Sequence, residues 1–225
     1  SAFLDVEMRL KQVPNGLELT PHSSLNVQYF SNATKMEGKI ERIELERTAQ
    51  VIHRTFPVTT WYNNIPYRTT NYNYVTHLAL GKAVNFETKP SLKYNFNDSL
   101  GLTNGIVGTL PWRGDQWVGF TEDTIRFSLD LGCLTDISKI ELGTLNDPGS
   151  WIYRPQTILV EYSSNGKKFK KFSKQVITED RIKLVKSKKV KVLRFTITTV
   201  SEVEQGLPGA GTTPWTFLDE LILTR

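Results

Sequence analysis

An all-β fold, built as two antiparallel sandwiches in series, is what the sequence predicts, and three features predict it. Ile125, Phe127, Leu129 and Leu131 alternate with Arg126, Ser128 and Asp130, the period of two that marks a half-buried strand. Turn signals recur at short intervals, with Asn15-Gly16 and Asn165-Gly166 each leading from one apolar segment into another. Strands do not alternate with helical stretches, so nothing suggests the parallel barrel that many hydrolases require.

Residues 1–74 read as a small β-sandwich. Leu17 and Leu19 follow the Asn15-Gly16 turn, Leu25, Val27 and Tyr29 follow a Pro-His-Ser-Ser turn, and Ile40, Ile43, Leu45, Val51 and Ile52 come after Gly38. The segment 40–50 also approaches helical spacing, but it runs into the β-branched pair Val51-Ile52, which favours strand. From Thr55 to Asn73 the chain is rich in Thr, Asn, Pro and aromatics, which reads as a last strand and then a linker. Its rings Trp61, Tyr62, Tyr67, Tyr72 and Tyr74 suit either stacking on a sugar or packing between two domains, and the position at a junction favours packing.

Residues 75–225 read as a second, larger sandwich. Beyond the strand at 125–131, strands are expected at Ile137–Leu142 and at Thr157–Tyr162, where Ile158, Val160 and Tyr162 share a face. Three loops between strands carry large rings. The first bears Trp112, Arg113, Asp115 and Trp117; the second runs from Asn146 to Pro155 with Asp147, Trp151, Tyr153 and Arg154; the third, Gly206 to Trp215, is rich in Gly and Pro. Large rings on loops held by a sheet make a recognition layout.

The formal charge of +5 is local: between Lys167 and Arg194 twelve Lys or Arg face only Glu179 and Asp180, a patch of +10 that leaves −5 for the rest. These lysines interleave with Phe169, Phe172, Ile182, Leu184, Val190, Val192 and Phe195, as solvated strand faces and charged sheet edges do. Binding of nucleic acid is therefore not expected, although an anionic polymer or a protein remains an alternative partner for this patch. No apolar run approaches 18 residues, so no membrane span is expected, and no charged-then-apolar N-terminal region is present. The single Cys133 excludes an internal disulfide, and its place after an apolar strand reads as a small buried residue. Asn32-Ala33-Thr34 and Asn97-Asp98-Ser99 fit the glycosylation pattern, which matters only in a eukaryotic secretory setting.

The ordered set LTNG, WVGF, IRFSLDLG, GSWIYRP, VEYSSNGKKF, VLRF and LPGAGTTPWTFLDELIL, spread over Val75 to Arg225, resembles the discoidin or coagulation-factor type C domain. More narrowly it resembles the copy related to family 32 carbohydrate-binding modules at the C-terminus of bacterial family 20 β-N-acetylhexosaminidases. The resemblance implies a galactose-binding-like jelly roll for 75–225, preceded by a small β domain that acts as spacer or docking unit. It implies an accessory, non-catalytic region of a secreted, periplasmic or cell-surface bacterial glycoside hydrolase, monomeric and attached to an upstream catalytic domain. The implied ligand is a galactose- or N-acetylhexosamine-type glycan.

A monosaccharide site needs an aromatic platform with polar groups around it. Trp112 and Arg113 are the first choice for touching ligand, with Asp147, Arg154 and Trp215 beside them and Trp151 divided between ligand and packing. The resemblance also implies one structural calcium ion, carried over onto the side chains of Asn104, Thr109 and Glu220 and the carbonyls of Leu100 and Ile106. Calcium prefers such oxygens. Asn104 stands where an aspartate is usual, and the alternative is a hydrogen-bonded clasp with no ion.

The enzyme alternative rests on Asp219-Glu220, since family 20 enzymes use an adjacent Asp and Glu. Here the pair precedes a terminal strand, where neighbours are expected on opposite faces, out of reach of one glycosidic bond. Glu122-Asp123 and Glu179-Asp180 have no partner set, and His22, His53 and His77 are scattered. A ligand-free spacer is the remaining alternative.

Overall fold

In the computed structural model the described backbone comprises residues 8–13, 16–21, 25–28, 34–38, 43–46, 53–62, 65–95 and 98–225, and the described side chains are those of 53, 55 and, within those ranges, 71 onward. His22, Asn32, Asn97 and the side chains of Trp61, Tyr62 and Tyr67 lie outside the described residues. The protein is all-β, with antiparallel sheets and, among the described residues, only single turns of 3-10 helix.

In the N-terminal region β1 (Met8–Val13), β2 (Gly16–Pro21) and β5 (Ile43–Glu46) form one sheet, in which Val13 pairs with Gly16, while Asn15 of the expected Asn15-Gly16 turn lies outside the described residues. Segment 40–50 thus contributes a strand, as its β-branched end implied. A second sheet is formed by β3 (Leu25–Gln28), β4 (Thr34–Gly38), β6 (His53–Tyr62), β7 (Ile65–Val75) and β9 (Ile106–Val107). The expected linker is instead a long hairpin: β6 pairs with β7 from Tyr62↔Ile65 to His53↔Val75. The Thr and aromatic content that suggested a loop also suits a pleated surface. Beyond it, Asn73 and Tyr74 pair with Val107 and Ile106, which joins this sheet to the 102–108 loop. Tyr72 and Tyr74 are buried at that seam.

The C-terminal sandwich is organised by two long strands, β11 (Thr124–Thr144) and β14 (Arg181–Thr198). They pair along their whole length, but four residues of β11 between Asp130 and Thr135 face one of β14, and this irregularity divides the ladder in two. One half is flanked by β8 (Val84–Phe86) and, across β14, by β12 (Thr157–Ser163) and β13 (Lys170–Val176). The other is flanked by β15 (Thr216–Thr224), which pairs in turn with β10 (Val118–Phe120). The two predicted strands at 125–131 and 137–142 are therefore one strand with an irregularity in it.

The alternation predicted for 125–131 places Ile125, Phe127, Leu129 and Leu131 in the core. Phe127 stacks on Phe195 at 4.6 Å between centroids, and Ile140, Leu142, Leu193 and Leu221 complete the same cluster. Each such side chain contributes about 1.5–3 kcal/mol on burial. β13 is the sheet edge, and its exposed Lys170, Lys171 and Lys174 fit the edge-charge reading of the basic patch.

Cys133 corrects the sequence reading: it is exposed. It lies within the irregular stretch of β11, where Asp130 Oδ1 accepts from Gly132 N at 2.8 Å and the alternation that would have buried position 133 is lost.

Candidate functional site

β15 is buried along its entire length, on both faces, because the core covers one side and the loops 77–82 and 102–117 cover the other. Phe217, on this strand, is the hub onto which four rings from three loops fold. Its ring lies 4.8 Å from Tyr94, 5.3 Å from Trp112, 6.1 Å from Trp215 and 6.5 Å from Trp117. The contacts are mostly tilted or edge-on, the arrangements aromatic quadrupoles favour.

The loops are fastened further by polar bonds. Trp112 Nε1 donates to Asp147 Oδ2 at 3.0 Å and to Ser150 Oγ at 3.2 Å, and Ser150 Oγ donates to Asp147 Oδ2 at 2.6 Å. Asp147 and Ile152 exchange backbone bonds around the turn at Pro148–Ser150, and Trp151 N donates to Pro148 O. Trp215 N donates to Trp151 O and Tyr153 N to Trp215 O, both at 2.9 Å, while the Tyr153 hydroxyl holds Pro208 O at 2.7 Å. Trp151 is thereby fixed in the left-handed region at φ 58°, its indole against Gly209 and 53% of its surface open. A non-glycine residue held there is strained, and such strain gathers where a side chain is presented for use.

Trp112, Asp147, Trp151 and Trp215 are thus brought to one rim, but their order differs from the sequence reading. Trp112, the first choice, is half-buried with its indole N–H engaged, whereas Trp151 is the open ring. Arg113 flanks the rim half-buried, its guanidinium making no hydrogen bond or ion pair among the described residues. Arg154 turns away: its Nε and Nη2 donate to Asp180 Oδ1 at 2.9 and 2.6 Å and its Nη1 to Thr178 O at 3.0 Å, which braces the 178–180 turn. Tyr94, absent from the sequence reading, joins the rim through a 5.0 Å edge contact with Trp215. Its only sequence signal was a large ring between two turn-forming stretches.

The donors assigned to calcium are engaged in hydrogen bonds of their own. Thr109 donates to Gln116 Oε1 at 2.8 Å, Asn104 Oδ1 closes its own turn by accepting Ile106 N at 2.8 Å, and Leu100 O accepts Thr103 N at 2.9 Å. Ile106 pairs with Tyr74 in the β7–β9 ladder. Glu220, fully buried, takes a 2.6 Å bond from His77 and another from Gly105 N, leaving Oε2 without a partner. His77 Nδ1 accepts Ala79 N at 3.2 Å, which puts the ring proton on Nε2 as donor to the carboxylate. Gly105 sits at φ +84°, and a Cβ there would meet the Tyr74 ring at 2.3 Å. The bonds of Asn104, Thr109, Leu100 and Glu220 are those a hydrogen-bonded clasp makes, and we propose the clasp in place of the six-to-eight-oxygen shell calcium takes. Melting temperatures in chelator and in millimolar calcium should coincide. A rise with calcium concentration, as linkage to a folded-state site demands, would restore the ion.

The adjacent acids correct a second expectation. Leu142↔Leu221 and Thr144↔Leu218 leave Asp219 and Glu220 opposite the single Gly143, a bulge that interrupts the alternation of faces. Both carboxylates accordingly bond to one loop, Asp219 to Gly108 N at 3.0 Å and Glu220 to Gly105 N. A Cβ at Gly143 would lie 1.9 Å from Asp219 Oδ1, so glycine is required there. Both acids are buried and paired. Asp219 holds Arg181 through Nη1 at 3.1 Å and Nη2 at 2.7 Å. Burial pushes its carboxyl up against the opposing pull of Arg181, and burial likewise pushes Glu220 up, against its bond from His77.

No family model and no curated protein matches the chain. Among solved structures it is similar to the Clostridium perfringens module CpGH89CBM32-4 at 11% identity and a TM-score of 0.48, covering 67% of this chain and 99% of that one. It is similar to chitosan-binding module 1 of a Paenibacillus sp. IK-5 chitosanase/glucanase at 13% identity and a TM-score of 0.45, covering 66% and 98%. A Ruminococcus gnavus GH29 fucosidase shows 9% identity and a TM-score of 0.46, over 67% of this chain and 26% of that one. The architecture described above stands on the strand pairing of this chain itself.

Proposed function

We propose that this chain is a carbohydrate-recognition accessory region that docks a pyranose at the Trp112, Asp147, Trp151 and Trp215 rim. The supporting observation is Trp151: a large ring, half open, held at a strained backbone position by a closed set of backbone bonds. The apolar C–H face of a pyranose matches a flat open indole, and Asp147 and Arg113 supply an acceptor and a donor for hydroxyls nearby. The chain contributes no hydrolytic step of its own in this reading. It is the tethering part of a larger secreted bacterial glycoside hydrolase of the β-hexosaminidase kind, with residues 1–74 as spacer or docking unit. Tethering raises the local concentration of the attached catalytic domain on the glycan. A separate, ion-independent monomer suffices for that role.

Galactose, N-acetylgalactosamine and N-acetylglucosamine should be titrated against the protein while Trp fluorescence and amide shifts are followed. Binding near 1 mM, about −4 kcal/mol, is expected for one of them. Trp151→Ala should weaken it about tenfold or more with the fold intact, since stacking adds roughly 0.5–1.5 kcal/mol to the lost area burial. Equal affinity in that variant, or no binding of any of the three sugars, overturns the rim.

A further inference from the structure

A cavity of about 170 Å³ lies beside the aromatic hub, between the 108–117 loop, the 144–145 segment and the 180–181 turn. One water needs only about 10–15 Å³ by this measure, so the space is made for something larger. Trp117, Leu110 and Leu145 give it an apolar wall, and Arg181, Asp219 and Asp180 give it a polar one. Its lining includes none of Trp112, Asp147, Trp151 and Trp215, the residues of the rim.

Two groups at this cavity have hydrogen-bonding capacity that the protein does not use. Trp117 is 6% exposed and packs on Phe217, and its ring gives the cavity apolar surface. Arg181 spends Nη1 on Asp219 and Glu220 O and one Nη2 proton on Asp219, which leaves Nε–H and a second Nη2–H unengaged among the described residues. Its fork is held by a carboxylate that is only 1% exposed, so the remaining donors are fixed in direction before any ligand arrives. Asp180 accepts both Arg154 bonds on Oδ1, and its Oδ2 receives no hydrogen bond among the described residues. The backbone is shaped for this arrangement too: a Cβ at Gly108 would come within 2.2 Å of the Trp117 ring.

The charges cancel, Asp180 against Arg154 and Asp219 against Arg181. An anion or a cation therefore gains nothing net from entering. A neutral group with several hydroxyls can accept from Arg181, donate to Asp180 and lay a C–H face on the indole and leucine wall.

We propose that this cavity is a second binding site, selective for a neutral polyhydroxylated group of monosaccharide size. It takes a sugar independently of the Trp151 rim, and two such weak sites on one module reinforce each other on a polymeric glycan.

The test follows the five tryptophan indole N–H resonances in the whole chain, assigned by Trp→Phe variants, during titration with galactose, N-acetylglucosamine and glycerol. The Trp117 resonance should move saturably with a sugar and far less with glycerol, and it should still do so in Trp151→Ala. Leu110→Tyr, which adds bulk at an exposed position on the cavity wall, should weaken that response about tenfold while leaving the Trp151 response unchanged. A Trp117 resonance that no sugar moves means a cavity holding only water and overturns the proposal. So does a Trp117 response that vanishes in Trp151→Ala or persists in Leu110→Tyr, because the signal would then be relayed from the rim. Failure of the rim shows separately, as a Trp151 resonance that stays still.

Discussion

Arg181→Ala is expected to lower the melting temperature by roughly 10 °C, among the largest single effects in this chain. Asp219 is buried at 1% exposure and depends on Arg181 for two of its bonds, with Gly108 N as the remaining loop donor. Removing the guanidinium strands a charge in a low-dielectric site, a change that costs about 3–5 kcal/mol when one partner of a buried pair is deleted. The partial exposure of Arg181, 26%, puts the expected value toward the lower end, since water reaches the gap. Thermal unfolding of Arg181→Ala, Asp219→Asn and the double variant separates the pair from its surroundings. In the Asp219→Asn background the carboxylate is gone, so the arginine deletion should cost far less than in the wild type. Additive effects would mean that Arg181 acts by packing its stem, and the ion pair would lose its assigned importance.

The strands were legible because burial imposes its period on the sequence. Ile125 to Leu131 alternated and lay where alternation placed them, and the Asn165-Gly166 turn fell between paired strands. Irregularities were not legible, and two misreadings trace to them. The extra residues between Asp130 and Thr135 exposed Cys133 and fused two expected strands, and the bulge opposite Gly143 turned Asp219 and Glu220 to the same loop. A bulge leaves no composition signal, since it depends on how the partner strand runs.

The rim was legible in its members and not in their roles. Turn-rich loops bearing Trp112, Asp147, Trp151 and Trp215 do converge, because strands of one sandwich deliver their loops to shared ends. Which ring stays open is decided by Phe217, a residue that reads as ordinary strand core, and by the αL position that lifts Trp151 outward. The cavity at Trp117 and Arg181 was invisible for the same reason. Its two walls join residues 117, 181 and 219, which nothing but the fold brings together.

His77→Ala should be the second large effect, a fall of about 2–4 kcal/mol in stability, and it tests whether the clasp closes the sandwich without an ion. Both side chains are fully buried, and the 2.6 Å bond joins residues 143 apart in sequence. Without the imidazole, Glu220 keeps Gly105 N as its one loop donor, and its unpartnered Oε2 gains a companion. The loss should be partly recovered by Glu220→Gln in the same chain, because a neutral amide needs no ionic partner and its desolvation is milder. Calcium should not substitute for the missing ring: if it restores the melting temperature of His77→Ala, the carboxylate and loop carbonyls form a cation site that the histidine merely occupies. Hydrogen exchange gives the local reading. Leu221 N donates to Leu102 O and Leu78 N to Leu223 O on either side of the pair, so both amides should lose protection before the core amides of β11 do. Since β15 carries Glu220 and, three residues earlier, the Phe217 hub, loosening that reaches the Trp215 and Trp112 contacts would also weaken sugar binding at the rim. A clasp that acts locally would leave sugar affinity unchanged while the melting temperature falls, and that separation is the expected result, because Trp112, Asp147 and Trp151 are held by their own bonds.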